Sequence, residues 1–329
     1  MATKNIAWGQ GSGSINIEYT GQGNGTIVIT SDPNNLGVER TKQIEVNTTD
    51  GSVSRRITIV QEANYRIQYL TFIALESGTF SFEIPADITS SHIPGGVSYS
   101  IDNGATWVNT EITSAVQTIT TPTIDRGNKV MWKATANRFG ISSSIYCKFT
   151  STGYYEVSGN IMSLEYGDDF ADKTSLKNYT YAFYGLFRSN SKLISAENLV
   201  LPATTLRQNC YQALFSFCTS MQKAPKRLPA TTLTNSCYRT MFYGCSNLTS
   251  IPILHATTLV TNCYYTMFVN CLNLKKITCL ATNISASNCT YQWVSGVAEI
   301  GIFTKASSMG SWPTGISGTP DGWTVKDNQ

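Results

Sequence analysis

Residues Leu228–Ile253 read LPATTLTNSCYRTMFYGCSNLTSIPI, and the fold depends on how the cysteines Cys237 and Cys245 are understood. Taken alone, they offer a metal site, a disulfide frame or a catalytic thiol. Taken with their neighbours, they belong to a repeat. LPATTL begins at Leu201 and again at Leu228, LHATTL follows at Leu254, and a worn LATNI at Leu280. The cysteines keep the same interval. Cys210, Cys237, Cys263 and Cys289 form one series, and Cys218, Cys245 and Cys271 a second. An earlier copy, AFYGLFRSNSKL (Ala182–Leu193), carries Ala182 and Asn190 where the later copies carry cysteine. A unit recurring at about 26 residues is the signature of a stacked array, in which each copy completes its core on its neighbours.

Within one unit, with Cys237 at position 0, the apolar residues Cys237, Tyr238, Met241, Phe242 and Cys245 occupy positions 0, 1, 4, 5 and 8. At 100° per residue these fall on one stripe of a helix. The following SNLTSIPI is short and β-prone, with Pro252 limiting its pairing. The spacing therefore predicts a helix and a short strand per unit, an α/β leucine-rich-repeat solenoid. On that helix positions 2 and 6 face solvent. They hold Tyr184 and Arg188 in the first copy, Arg239 and Tyr243 in the third, and Tyr265 and Val269 in the fourth. Exposed tyrosines beside arginines suit sugar rings and acid groups. The candidate ligand-binding residues are accordingly Tyr184, Arg188, Arg239, Tyr243 and Tyr265.

The cysteines themselves read as structural. Zinc sites use close pairs such as C-x2-C, whereas here the gap is eight residues and no unit carries a histidine in step. Eight helical residues span about 12 Å, beyond the reach of a disulfide. A cysteine nucleophile needs an adjacent base, and the chain has only two histidines, His92 and His255. Free cysteine is a good small buried hydrophobe, so a ladder of buried thiols is expected, with no metal, no cofactor and no catalytic residues.

The segment CYRTMFYGCSNLTSIPILHATTL (Cys237–Leu259) resembles the BspA-like leucine-rich repeats of Bacteroidetes and of the phages that infect them, over roughly residues 156–304. GIFTKASSMGSWPTGISGTPDGWTV (Gly301–Val325) resembles the closing segment of such arrays, with Trp312 and Trp323 as the plug of the last repeat. Ahead of the array, SINIEYT, GTIVITS, KQIEVNTT and RRITIVQEA alternate apolar and polar residues as strands do. GQGNG and DPNNLG supply turns between them. TTDGSVSRRITIVQEA (Thr48–Ala63) resembles the last hairpin of a BACON domain, an immunoglobulin-like sandwich whose tryptophan-bearing segment is hinted at by Trp8. Such a domain serves either sugar binding or as a spacer or anchor.

A second β block follows, with a hairpin bending at Asp102-Asn103-Gly104. Its YSIDNGATW (Tyr99–Trp107) resembles immunoglobulin-like modules found ahead of these repeats, and Trp107 and Trp132 are read as core, with surface sugar stacking as the alternative. SGNIMSLEYGDDF (Ser158–Phe170) opens the array, and its Asp168-Asp169 pair is either a cation attractor or a feature of the cap. The expected architecture is multidomain: residues 1–64 a BACON-like sandwich, 65–155 a second immunoglobulin-like β-domain, and 156–329 the α/β solenoid with its cap.

Charge and composition narrow the function. Only 14% of the 329 residues are charged and the net charge is +3. Between Asn198 and Ala298 there is no acidic residue, while Arg207, Lys223, Lys226, Arg227, Arg239, Lys275 and Lys276 lie there. Such a stretch attracts anions. The opening MATKNIAWGQGSGS has no apolar run of a secretory signal, so release by cell lysis is the expected route and a virion the expected location. These features lead to a non-enzymatic phage appendage protein, of head or tail fibre type, adhering to host cell-surface glycan through its repeats. The expected partners are host polysaccharide or another anionic surface, other virion proteins through the N-terminal domains, and further copies of the chain. Neither nucleic acid nor membrane insertion is expected. The alternatives are a virion decoration protein whose repeats contact other subunits, or a bacterial surface adhesin.

Overall fold

The computed structural model describes residues 2–7, 14–20, 26–31, 40–47, 54–61, 65–113 and 115–329. It forms two compact units, Met1–Gln68 and Tyr69–Gln329. In the first, β1 (Ala2–Ala7), β2 (Ser14–Thr20) and β3 (Thr26–Ser31) make an antiparallel sheet in that order. β4 (Arg40–Asn47) and β5 (Ser54–Gln61) make an antiparallel pair. Ile15 and Ile44 are buried, as their alternating strands require. Trp8 and the turns GQGNG and DPNNLG lie outside the described residues.

The second unit begins with strands β6 (Leu70–Ala74), β7 (Phe80–Ile84), β8 (Val97–Ser100), β9 (Val108–Thr110), β10 (Gln117–Thr120), β11 (Lys129–Ala134), β12 (Lys148–Ser151) and β13 (Tyr155–Asn160). With β14 (Leu193–Val200), they form a six-stranded sheet ordered β14-β13-β6-β11-β8-β9 and a three-stranded sheet ordered β10-β7-β12. The two sheets share an aromatic core. Phe72 on β6 meets Phe80 on β7 at 5.5 Å and Phe149 on β12 at 4.8 Å, and Trp132 on β11 meets Phe149 at 5.1 Å. The β8–β9 hairpin bends at Asn103 and Gly104, both at positive φ, which the short polar residue and the glycine tolerate. Strand β13 pairs antiparallel with β6 and parallel with β14. The sequence-based boundary at 155/156 therefore falls inside a strand of this unit, and the sheet leads directly into the repeats.

The repeats are not the expected α/β solenoid. The chain is nearly all β, and the one α-helix among the described residues is α1 (Ser163–Tyr166). Each unit instead forms a coil of overlapping turns. In Asn209–Cys218, the amides of Cys210, Gln212, Leu214, Ser216 and Cys218 donate to the carbonyls three residues back. The intervening amides of Asn209, Tyr211, Ala213, Phe215 and Phe217 donate to Asn235, Cys237, Arg239, Met241 and Tyr243 in the next coil. The same division recurs in the coils that follow. An α-helix would send every amide four residues back within one segment, with φ negative throughout. Here φ is positive at every fourth residue: Asn209, Ala213 and Phe217, then Ser236, Thr240 and Gly244, then Asn262, Thr266 and Asn270. Positions 0, 1, 4, 5 and 8 are all buried, because the turn run repeats every four residues and turns the same pair inward each time.

The coils stack in register. Parallel bridges join Ser195 to Lys223, Lys223 to Ser250, Leu228 to Leu254 and Leu254 to Cys279. Two files of rings run through the core. One is Phe183–Tyr211–Tyr238–Tyr264, and the other is Phe187–Phe215–Phe242–Phe268; neighbouring rings lie 5.4–6.2 Å apart. All nine cysteines are buried free thiols. Those at position 8 staple one coil to the coil before it. Cys218 Sγ donates to Phe187 O at 2.9 Å, Cys245 to Phe215 O at 3.0 Å, and Cys271 to Phe242 O at 3.1 Å. Asn190, in the cysteine-free copy, does the same with Nδ2 on Phe149 O at 3.1 Å and on the Tyr155 hydroxyl at 2.8 Å. The array ends on a parallel sheet of β15 (Lys276–Cys279), β16 (Ile302–Lys305) and β17 (Thr324–Asp327). Trp312 and Trp323 are both buried there, Trp312 stacked on Trp293 and Trp323 donating from Nε1 to Ala298 O.

Gly244 shows how tightly these turns are held. Its φ is +73°, and a Cβ there would stand 2.7 Å from Phe217 Cδ1. Gly244→Ala is expected to lower stability by about 1–2 kcal/mol from backbone strain alone, with a further cost for moving Phe217. Chemical denaturation of the two proteins measures it, and an unchanged midpoint would refute the left-handed turn at this position.

Candidate functional site

The first three coils enclose a cleft of about 410 Å³ lined by Ser143, Tyr184, Arg188, Gln212, Ala213, Ser216, Phe217, Arg239, Thr240 and Tyr243. Four of the five residues singled out in the sequence, Tyr184, Arg188, Arg239 and Tyr243, line it. The fifth, Tyr265, stands beside it, its ring 4.3 Å from the guanidinium carbon of Arg239. Coil stacking produces this convergence. Positions 2 and 6 of successive copies come side by side, at the spacing of neighbouring strands.

Tyr184 is a correction: it does not face solvent. Its side chain is 2% exposed, packs against Tyr146 and Tyr181, and donates its hydroxyl to Ser143 O at 3.3 Å. The loop at 140–146 covers it, and this burial raises its phenol pKa, partly offset by Arg188. Val269 is also buried. Tyr184 thus forms the floor of the cleft, with Phe217, 42% exposed and edge-on to Tyr243 at 5.1 Å, as an apolar wall.

The electrostatics of the cleft are one-sided. No carboxylate lines it. The ion pairs include Lys133–Asp168, Lys148–Glu83, Lys223–Glu197 and Lys305–Asp327, and neither Arg188 nor Arg239 takes part in them. Arg239 Nε is buried without a hydrogen-bond partner, and the guanidinium of Arg188 lies 5.8 Å from the Tyr146 ring. A buried donor left unpaired is costly, and guanidinium groups beside aromatic walls are chemically suited to an oxyanion attached to a ring with an apolar face. Gln212 and Ser216 add amide and hydroxyl groups. They occupy positions 2 and 6 of the second copy, so the column rule that found the others includes them. Ser143 comes from outside the repeat, and no pattern in the sequence points to it.

Other candidates fare differently. A second cleft of about 450 Å³ lies among Ser98, Asn109, Lys133, Tyr166, Asp168 and Asp169. There Asp168 is engaged by Lys133 at 2.8 Å and by the Tyr69 hydroxyl at 2.9 Å. Trp132 is fully buried, while Trp107 is half-buried, edge-on to Tyr69 with Lys133 Nζ 4.3 Å from its ring. No group of three His, Cys, Asp or Glu able to hold a metal occurs among the described residues. Burial pushes the Cys210 and Cys218 thiols up to about 12, keeping them protonated at neutral pH. The chain matches no protein-family model, no curated protein and no solved structure.

Proposed function

We propose that the chain is a non-enzymatic adhesion protein of a phage virion appendage, and that it takes an anionic cell-surface glycan into the cleft between Arg188 and Arg239. The observation that carries this reading is the pair of arginines without ion-pair partners, set among tyrosines and Phe217 with no carboxylate in the lining. Guanidinium groups suit the acid group of a sugar, and aromatic walls suit its apolar face. The virion setting rests on the resemblance of Cys237–Leu259 to repeats carried by phages, and it does not require helical repeats. Host polysaccharide is then the partner of the coils, and other virion proteins are partners of the N-terminal strands.

The test is glycan binding by titration calorimetry. An acidic oligosaccharide is expected to bind, more weakly as salt rises, while its neutral ester does not. Arg188→Gln with Arg239→Gln should weaken binding by at least tenfold, since a hydrogen bond to a charged group contributes about 1.5–3 kcal/mol. Binding that ignores salt and both substitutions would reject the cleft as the site.

A decoration protein is the second reading, favoured by β17, which ends its sheet with all four residues exposed. Such an edge is a ready template for another chain. Concentration-dependent association abolished by Val325→Lys would support it over adhesion.

A further inference from the structure

Position 2 of the five successive coils is held by Tyr184, Gln212, Arg239, Tyr265 and Tyr291. The backbone fixes this column. The amides of Gly185, Ala213, Thr240 and Thr266 donate to the carbonyls of Gln212, Arg239, Tyr265 and Tyr291 at 2.9–3.1 Å. Each residue of the column after Tyr184 is thus bonded, through its own carbonyl, to the coil before it. On this frame three planar groups lie one above another. The Arg239 guanidinium carbon is 4.3 Å from the Tyr265 ring centre, and the Tyr265 and Tyr291 rings are 4.9 Å apart at 21°. Arg239 lines the cleft, whereas Tyr265 and Tyr291 do not.

We propose that Tyr265, backed by Tyr291, is a positioning residue that presents the Arg239 guanidinium to the anion, so that the binding determinant extends two coils beyond the cleft. This rests on the reading of the cleft as an anionic-glycan site. A free arginine side chain samples many rotamers and loses that freedom when it binds. A guanidinium already stacked on a ring keeps its plane, with its edge donors free for an oxyanion lying in that plane. The Arg239 guanidinium reaches the Tyr265 ring from the coil before it and the Tyr291 ring stacks on it from the coil after, so the ring is held from both neighbours. The proposal assigns the work to the face of the Tyr265 ring and not to its hydroxyl. That assignment separates it from the simpler idea that Tyr265 touches the sugar.

Two measurements on the full chain decide it. The first needs no ligand: the Nε–H signal of Arg239 in nitrogen-15 NMR, identified by its loss in Arg239→Gln. It should be ring-current shifted and rigid in the wild type and in Tyr265→Phe. In Tyr265→Leu it should move to the position of a free arginine. The second is binding of an oligogalacturonate, with its methyl ester as neutral control and a sulfated oligosaccharide as the alternative anion. Tyr265→Phe should bind as the wild type does, and Tyr265→Leu about tenfold more weakly. Tyr265→Leu should also cost nothing further in the Arg239→Gln background, and its salt dependence should approach that of Arg239→Gln. A weakened Tyr265→Phe, or a Tyr265→Leu that leaves the Arg239 signal or the binding unchanged, overturns the proposal. If the wild type binds neither anion, the glycan reading fails by itself, and the NMR signal still shows whether the stack holds Arg239.

Discussion

Trp293→Ala is expected to lower the stability of the Tyr69–Gln329 unit by about 3–5 kcal/mol, the range for emptying a buried aromatic site. Trp293 is fully buried where the two ring files meet. Tyr264 ends one file, 6.1 Å away, and Phe268 ends the other, 6.0 Å away. Beyond it, Trp312 stacks at 5.6 Å and Phe303 meets it edge-on at 6.1 Å, while its Nε1 donates to Gly318 O at 2.8 Å. A stack of coils is stabilised by contacts between neighbours, so an open end exposes its last core layer. Trp293 therefore joins the coils to the closing segment, and alanine would leave Gly318 O unpaired as well. The loss should be local before it is global. Limited proteolysis should cut within residues 302–329 while the ring files from Phe183 to Tyr264 stay protected. Retention of the wild-type denaturation midpoint, with the closing segment still protected, would show that the junction is held elsewhere.

The repeat was legible because burial repeats with it. In the three copies that begin at Cys210, Cys237 and Cys263, positions 0, 1, 4, 5 and 8 are all inward, and the residues there are cysteine, tyrosine, methionine, leucine and phenylalanine. The backbone departs from the expected helix because those positions fit two periods. Over nine residues a helical stripe and a run of four-residue turns select the same set, and only the outward residues separate them. Asn209, Gly244, Asn262, Asn270, Asn288 and Gly296 occupy left-handed positions, which asparagine and glycine adopt most readily. Read as spacing along the coil, those residues mark the turns. Ala213, Thr240, Thr266 and Gln292, at the equivalent middle positions, carry no such mark, because hydrogen bonds to the next coil, or for Gln292 to Ser317 Oγ in the closing segment, override their preference. The cleft was legible to the extent that it is a column property: Arg188, Arg239 and Tyr243 follow from counting along the repeat. The burial of Tyr184 was not legible. It depends on Tyr146 and Ser143, about forty residues away in a segment outside the repeat.

The second large effect is a pH dependence set by Glu165. This carboxyl sits on α1, buried at 2% exposure, where the first coils meet the sandwich. Its Oε1 accepts from the Lys177 amide at 2.6 Å, while Oε2 is buried with no hydrogen-bond partner. Burial raises its pKa from the ordinary 4.5 to about 7, against the opposing pull of the Lys177 amide, the Lys177 ammonium and Arg207. The other groups turned toward it are the Tyr166 and Tyr211 phenols and the Cys210 thiol, all raised by burial and by Glu165 itself, and so neutral throughout the range that matters. Folding therefore favours the protonated acid. The contribution is fully present below the unfolded pKa near 4.5 and is lost as pH rises through about 7. The whole shift corresponds to stability on the order of 3 kcal/mol. Wild-type protein should be more stable at pH 5 than at pH 8 by up to that amount. His92 acts in the opposite sense, since burial and Arg138 lower its pKa and it costs stability as pH falls. The difference between wild type and a Glu165 variant cancels that contribution. Glu165→Gln keeps an acceptor for the Lys177 amide and cannot ionise. It should match the wild type at pH 5, exceed it at pH 8, and flatten the dependence between. Denaturant midpoints for both proteins across pH 5–8 supply the comparison. Parallel curves would mean that Glu165 stays ionised in the folded chain, with its charge met by Lys177 and Arg207.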